Sequence, residues 1–415
     1  MRLHFAGLSD FTRSSQVSGA SKLNPRAPLW ILASVTFSGT LAMHIFVPAL
    51  PLAARDLAAS SSSLQLTISI YILGLAIGQL LYGPLSDRFG RRPVLLVGLL
   101  LYSVAGLVAA LAPDVRILVV ARLFQAIGGC SGLVLGRAIV RDGVGVDEAT
   151  RRLAVVSLIV NVGPGLAPLA GAELGAWLGW RSIFFALTAM GLINFLITWR
   201  LLPETGPQRS THRDARRTGE LWSNFRQLIT SRAFLGYAIG GGCATTSMYA
   251  FISAAPFIFT EQLRQPSRDV GIYLAIIVGA LWVGSVVASR IAGRVAVNRQ
   301  MIGGNLMSVA GAFIFLGAVL FGVLSVPITV GSMIMFMFGV GVSSPPALAE
   351  AMSVNPKVIG SASGVYGFMQ MTVGAICSSA ASLGSTPALG SAVVLVVAGA
   401  LAQFSFWTAI RSSRD

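Results

Sequence analysis

The sequence predicts an all-α membrane protein, with twelve transmembrane helices arranged as two six-helix bundles. Three observations carry this expectation. The 415 residues are 54% hydrophobic and only 11% charged, with a mean hydropathy of +0.77, whereas a soluble domain carries about 25% charged residues. Twelve apolar runs follow one another, each near the roughly 20 residues that a bilayer core of about 30 Å demands of a helix. The longest polar interruption falls after the sixth run and divides the twelve evenly.

Residues 1–27 form a polar tail that carries Arg2, Arg13, Lys22 and Arg26 but no apolar run. The first span, near 28–50, is too long for the core of a signal peptide and is followed by no obvious cleavage site, so the tail is expected to stay cytoplasmic and uncleaved. Further spans near 64–85, 93–112, 115–137, 152–177 and 180–202 complete a first bundle over 28–202. The segment 203–231 is rich in Pro, Gly, Ser and Arg and predicts a cytoplasmic linker, with an amphipathic turn around Leu221 to Leu228 suited to the inner membrane surface. A second bundle over 232–410 contains spans near 232–258, 270–289, 300–322, 326–349, 358–383 and 387–409. Residues 411–415 remain as a second cytoplasmic tail.

The net charge of +15 has two explanations, nucleic-acid binding and membrane topology, and the placement of the basic residues separates them. Of the 30 Lys and Arg, only Arg55, Arg116, Arg181, Arg264 and Arg268 fall on the outer side, Arg122 lies within a span, and the rest gather on the inner side. That is the positive-inside bias of a multi-pass protein with both termini cytoplasmic. Each inner loop is too short to build a nucleic-acid surface, so no nucleic-acid partner is expected, while the lipid bilayer is. Cys130, Cys243 and Cys377 all lie within spans, where a free thiol behaves as a small hydrophobe, and their spacing suits neither disulfides nor a metal. The histidines are His4, His44 and His212, two of them outside the spans, and no helical His/Glu ligand spacing occurs. A membrane enzyme is therefore not expected.

The two halves carry a faint repeat. GQLLYGPLSDR (78–88) aligns without gaps on GSVVASRIAGR (284–294), matching Gly78 to Gly284 and Arg88 to Arg294, while Asp87 meets Gly293. With the six-plus-six division, this favours two similar bundles related by an axis along the membrane normal.

Between the second and third spans stands GPLSDRFGRRP (83–93), a tight inner turn. Gly83 is expected to let backbones approach, Gly90 to take a positive φ, and Pro93 to open the third span where no amide donor is needed. Arg88, Arg91 and Arg92 satisfy the inside-positive bias, but that bias does not explain Asp87. An acid at this edge can pair with cations of a neighbouring helix, and Arg137 and Arg141 end the fourth span on the same face. The turn matches G-x-L-[AS]-D-R-x-G-R-[RK], the loop of the major facilitator superfamily. The chain further resembles the bicyclomycin, chloramphenicol and florfenicol exporters, the Bcr/CflA branch of the drug:proton antiporters. The likeness rests on VPALP (47–51), LQLTISIYILGLAIGQLLYGPLSDRFGRRPVLL (64–96), ARLFQAIGG (121–129), GRAIVRD (136–142), APLAGAELGAWLGWRSIFF (167–185) and GSASGVYGFMQMTVGAI (360–376). The resemblance implies a major facilitator fold whose central cavity opens alternately to each side, export of a small-molecule drug driven by inward proton flow, and no cofactor beyond the proton gradient. It also implies that Asp87 and its arginines latch the cytoplasmic side while the cavity faces outward.

Three ionisable groups lie inside spans. Arg122 must face protein or water, because an intramembrane arginine costs at least about 2.5 kcal/mol. It matches the R-x-x-Q-[GA] motif, with Gln125 and Ala126 following, and the resemblance ties it to proton transfer; the alternative is an arginine that snorkels to the outer interface. Exporters of the branch carry an acid four residues before the first proline of the PALP segment, where this chain has His44. That residue either carries the proton itself or only lines the path in polar fashion. Glu173 replaces an apolar residue of the relatives. It either joins His44 and Arg122 in one proton-coupling cluster or sits wetted at the interface beside Trp177 and Trp180.

Pro164 and Pro168, with Gly163, Gly165 and Gly171, break the regular helix of the fifth span, and the resemblance puts this segment at the bundle interface, although Ala172 replaces the expected second glycine. Tyr71, Gln125, Asn161, Tyr249, Tyr366 and Gln370 are the polar or aromatic groups expected on cavity walls, since a site for amphipathic drugs is mostly apolar with a few hydrogen-bonding groups. The expected protein is thus a monomeric, proton-coupled drug exporter of the bacterial inner membrane, with a permease or exporter of an endogenous metabolite as the alternative.

Overall fold

The computed structural model describes residues 28–142, 146–205, 226–354 and 359–412, except the side chains of residues 146–147, 150, 154, 157–162 and 359–361. The expected N-terminal tail, most of the linker including Leu221, and the side chain of Asn161 lie outside the described residues.

The first span is broken where its prolines remove backbone donors. Helix α1 (Leu29–His44) stops before VPALP, a 3₁₀ turn covers Val47–Ala49, and α2 (Leu50–Asp56) resumes, each restart carrying a proline in its first two positions. The span therefore runs about one and a half turns past the expected end at 50. Helix α3 (Ser61–Phe89) starts at Ser60, whose hydroxyl accepts from the Ser63 amide at 3.2 Å. Helix α4 (Arg91–Ala110) begins two residues before Pro93, which still falls in the first turn, and Gly90 between them takes φ +97°. Gly83 departs from expectation, since a side chain there would meet no atom within 4 Å. Helix α5 (Val115–Arg141) is capped by Asp114, which accepts from the amides of Arg116 and Ile117 at 2.8 and 2.9 Å. Helix α6 (Val146–Leu178) runs on through Pro164 and Pro168 without the expected break, and α7 (Trp180–Leu201) completes the first bundle.

The second bundle repeats this order. Helix α8 (Arg232–Thr246), α9 (Met248–Phe257) and a π turn over Ile258–Gln262 make one interrupted span. Helices α10 (Ser267–Ile291), α11 (Val297–Leu320), α12 (Val326–Ser353), α13 (Ile359–Ala381) and α14 (Pro387–Ser412) follow. Among the described residues, ten stretches are long and apolar enough to cross a membrane, and α6 and α13 fill the fifth and eleventh places.

Small residues let each bundle close. In the first, α5 packs against α1, α3 and α4; in the second, α12 packs against α8, α10 and α11. A side chain on Gly39 of α1 would stand 2.7 Å from the Gly129 carbonyl of α5, so only glycine permits that approach. The faint repeat has a structural meaning here. Gly78 of α3 presses on Cys130 of α5, with 2.8 Å left to Sγ for an added methyl, and its counterpart Gly284 of α10 presses on Gly341 of α12, with 3.1 Å to its Cα. Large apolar side chains such as Val97, Leu100 and Val104 of α4 and Ile193, Leu196 and Trp199 of α7 face outward, a surface suited to lipid.

The bundles meet along two seams, α3 on α13 and α6 on α10. Below, the end of the molecule that holds the turn between α3 and α4 is called the basic end, and the opposite end the far end.

Candidate functional site: the bundle seams and their buried charges

At the basic end Asp87 finds its cation within the turn. Arg91 Nη1 lies 2.9 Å from Asp87 Oδ1, and Arg91 Nε donates to Asp142 Oδ2 at 3.3 Å. The left-handed Gly90 reverses the chain so that Arg91, four residues on, begins α4 beside the end of α3. The expected pairing of Asp87 with Arg137 or Arg141 is therefore not what the structure forms; the end of α5 contributes Asp142 instead. Glu204, just after α7, accepts the Arg91 and Arg92 amides at 2.9 and 3.2 Å, so a carboxylate caps the N-terminus of α4, and the Arg92 guanidinium donates to the Trp199 carbonyl. Arg88 lies over the Phe89 ring at 5.2 Å. All these partners lie on or just after helices of the first bundle, so the described contacts of the turn hold four helices of one bundle together, α3, α4, α5 and α7, and do not bridge the two. Asp142 and Glu204 were both visible in the sequence as acids at span ends, but nothing in the spacing marked them as partners of Arg91.

Arg122 is fully buried rather than drawn to the interface. Its Nη1 donates to the Ala42 carbonyl at 3.1 Å and to Gln125 Oε1 at 2.8 Å, and its guanidinium carbon stands 4.0 Å from the centre of the Tyr71 ring, with Phe46 and Phe184 each at 5.7 Å. Stacking on aromatic faces offsets part of the desolvation of a buried cation. No carboxylate approaches it among the described residues, and Nε and Nη2 have no acceptor.

The proposed cluster of His44, Arg122 and Glu173 does not assemble. His44 ends α1, donates through Nδ1 to the Thr40 carbonyl at 2.9 Å, and faces Tyr249 of α9 across the bundles with ring centres 6.3 Å apart. Glu173 turns the other way. Gly171 lies against the backbone of Ile45, and two residues further round a helix the side chain points nearly opposite. Glu173 Oε1 accepts from Arg268 Nε of α10 at 2.6 Å and Oε2 accepts from Trp177 Nε1 at 2.9 Å.

The cavity candidates also separate. Tyr71 and Gln125 lie inside the first bundle around Arg122, both fully buried, with Tyr71 donating to the Gly39 carbonyl at 2.8 Å. Gln370 ties α13 to α8 by donating to Thr245 Oγ1 at 2.7 Å, and its carbonyl accepts from Thr246 Oγ1 at 2.7 Å. Tyr366 is buried beside Gly241 with no acceptor for its hydroxyl, and Tyr249 remains at the seam opposite His44. Of the interface group, Pro168 meets the second bundle: a side chain on Gly271 would come within 2.8 Å of both the Pro168 carbonyl and Ala172 Cβ. Gly171 faces α1 of its own bundle, and Pro164 is half-buried. Ala172, the departure from the expected glycine, is thus itself a contact.

The cross-bundle contacts run from the far end to the middle of the seams. On α6 and α10 they are Glu173 with Arg268, Pro168 and Ala172 with Gly271, and Gly165 with Trp282. On α3 and α13 they are a chain of hydroxyls, Ser69 to Ser378 at 2.9 Å and Ser378 to Ser253 of α9 at 3.1 Å, and the carboxamide of Gln79 lying on Gly367. These serines, Gln79 and Arg268 escaped sequence reasoning, although polar side chains repeating within apolar spans were a usable signal.

Two bundles joined along paired seams, with an unmatched cation and a histidine buried beside the junction, make this a multi-pass membrane transporter. Residues 32–379 match the Major Facilitator Superfamily, and the chain belongs to it. Among curated relatives it is 29% identical over 388 residues to YdgK of Bacillus subtilis (strain 168), named an uncharacterized MFS-type transporter, covering 91% of this chain and 94% of that protein. It is 26% identical over 358 residues to the multidrug transporter MdfA of Yersinia pestis bv. Antiqua (strain Angola), covering 86% and 87%. A chloramphenicol resistance protein of Pseudomonas aeruginosa is 33% identical over 271 residues, 65% of this chain and 62% of the relative. Among solved structures, a D-xylose-proton symporter shares the fold with a TM-score of 0.73 at 18% identity, covering 91% of this chain and 96% of that one. The likeness read from the motifs agrees with these matches.

Proposed function

We propose that the protein is a proton-coupled exporter of small amphipathic drugs that works from the bacterial inner membrane by alternating access, with both termini cytoplasmic. The observation that carries this reading is the pair of bundles clasped at the far end around a buried histidine, in a chain similar to a multidrug transporter and a chloramphenicol resistance protein. The positive-inside bias supports a cytoplasmic basic end, so the conformation described is closed toward the periplasm. Export then requires the far-end contacts to break while the basic ends approach. In this reading His44, an imidazole able to gain and lose a proton and facing Tyr249 across the bundles, carries the proton, and Arg122 holds the neighbouring backbone of α1 through Ala42. The network of Asp87, Arg91, Asp142 and Glu204 presets the turn, leaving Arg88, Arg137 and Arg141 to meet the second bundle when the basic end closes.

The test is transport in proteoliposomes with an imposed pH gradient, using chloramphenicol and bicyclomycin as cargo. Uptake that rises with the gradient and collapses with a protonophore is expected. Movement that ignores the gradient would defeat the coupling, and no movement of either compound would defeat the drug reading.

A further inference from the structure

The fifteen acidic residues of the chain stand near helix ends, in connections or in tails, and none occupies the middle of a span. Three of them are matched by a cation: Glu173 by Arg268, Asp87 by Arg91, and Asp56 by Arg181. Arg122 is different. It is fully buried, and every partner it has among the described residues is neutral: one carbonyl, one carboxamide and three aromatic rings. Its Nε and Nη2, which form the side-on fork by which a guanidinium grips an anion, meet no acceptor. The carbonyl it holds belongs to Ala42, two residues from His44, which faces Tyr249 across the bundles and adds a second positive charge whenever it is protonated.

A charge that is not neutralised locally projects through a low-dielectric interior much further than it would through water. From these groups we infer that the path between the bundles accepts uncharged and anionic amphiphiles and rejects permanent cations. The inference rests on the export reading above and narrows its substrate class. A lipophilic cation brought to the seam at His44 loses its hydration beside an unmatched guanidinium and gains no carboxylate in return. An uncharged amphiphile is indifferent to that field, and an anion gains from it.

Equilibrium dialysis of the purified protein in lipid nanodiscs against three amphiphiles tests this: chloramphenicol, which is uncharged, fusidate, an anion, and tetraphenylphosphonium, a permanent cation. The expected result is binding of at least one of the first two, with tetraphenylphosphonium weaker by about tenfold or more, the effect of one favourable or unfavourable charge contact. His44→Glu, or Thr40→Asp one turn earlier should the first variant not fold, is expected to narrow that gap by a similar factor. Binding of the cation by the native protein as tightly as chloramphenicol overturns the inference and leaves export standing, as does a ratio unmoved by an added carboxylate. Binding of none of the three removes the export reading, and the inference falls with it.

Discussion

Arg268 and Glu173 form an ion pair of 2.6 Å that joins α10 of the second bundle to α6 of the first, with Trp177 donating to the other carboxylate oxygen. The sequence leaves Glu173 either in a proton-coupling cluster or wetted at the interface beside Trp177 and Trp180, and the structure has it exposed and bonded to Trp177. Its position makes it part of the far-end clasp, beside the contact of Gly271 with Pro168 and Ala172.

Loosening that clasp should expose the seam. With Cys130, Cys243 and Cys377 replaced by alanine, a Val270→Cys probe, buried and next in the chain to the seam residue Gly271, is expected to react slowly with a membrane-impermeant maleimide. Glu173→Gln or Arg268→Gln should raise its rate a few-fold, because exposed ion pairs contribute modestly. The exchanged pair Glu173→Arg with Arg268→Glu should restore slow labelling; rates that stay high in the exchange variant would argue against a charge clasp.

Overpacking the same seam acts more strongly. Gly271→Val places a methyl 2.8 Å from the Pro168 carbonyl, a distance that backbone atoms relieve only by moving apart. A loss of about 1–3 kcal/mol is expected for the closed state, read as a lowered melting temperature and as faster labelling of the far end. An unchanged melt and unchanged labelling would mean that the helices separate there without effort.

Arg122 should be dispensable for folding and indispensable for coupling. Replacing a buried charge that lacks a counter-ion by an apolar side chain of similar length removes a desolvation penalty of several kcal/mol. Arg122→Met is therefore expected to melt no lower than the native protein, while losing about tenfold or more of its gradient-driven transport. Retention of full coupling in a well-folded Arg122→Met would separate this residue from the proton pathway.

The turn at the basic end offers a plainer test. Glu204 accepts the Arg91 and Arg92 amides and so caps α4. Glu204→Ala should cost about 1 kcal/mol, the usual worth of a lost N-terminal cap, and Glu204→Asp less. Circular-dichroism melts in detergent measure both, and equal melts for the two variants would remove the capping role.

Much of the architecture was legible in the chain because hydrophobic length and the side on which arginines fall are one-dimensional properties. The twelve spans and the even division follow from such patterns, and the tight turn at Gly90 and the family likeness from short motifs. Partner choice was not legible. Asp87 had Arg88, Arg91, Arg92, Arg137 and Arg141 within plausible reach, and only the left-handed turn at Gly90 decided for Arg91. Counting along the chain from the outer ends of their spans puts His44, Arg122 and Glu173 at similar positions, but the face that each presents depends on helix rotation. Gly171 seated on Ile45 turns Glu173 toward Arg268, and Tyr71 stacked on Arg122 closes that cation inside one bundle. Depth in a membrane is set by counting residues along a helix, whereas contact is set by rotation about its axis. That rotation is fixed by packing between helices distant in the chain.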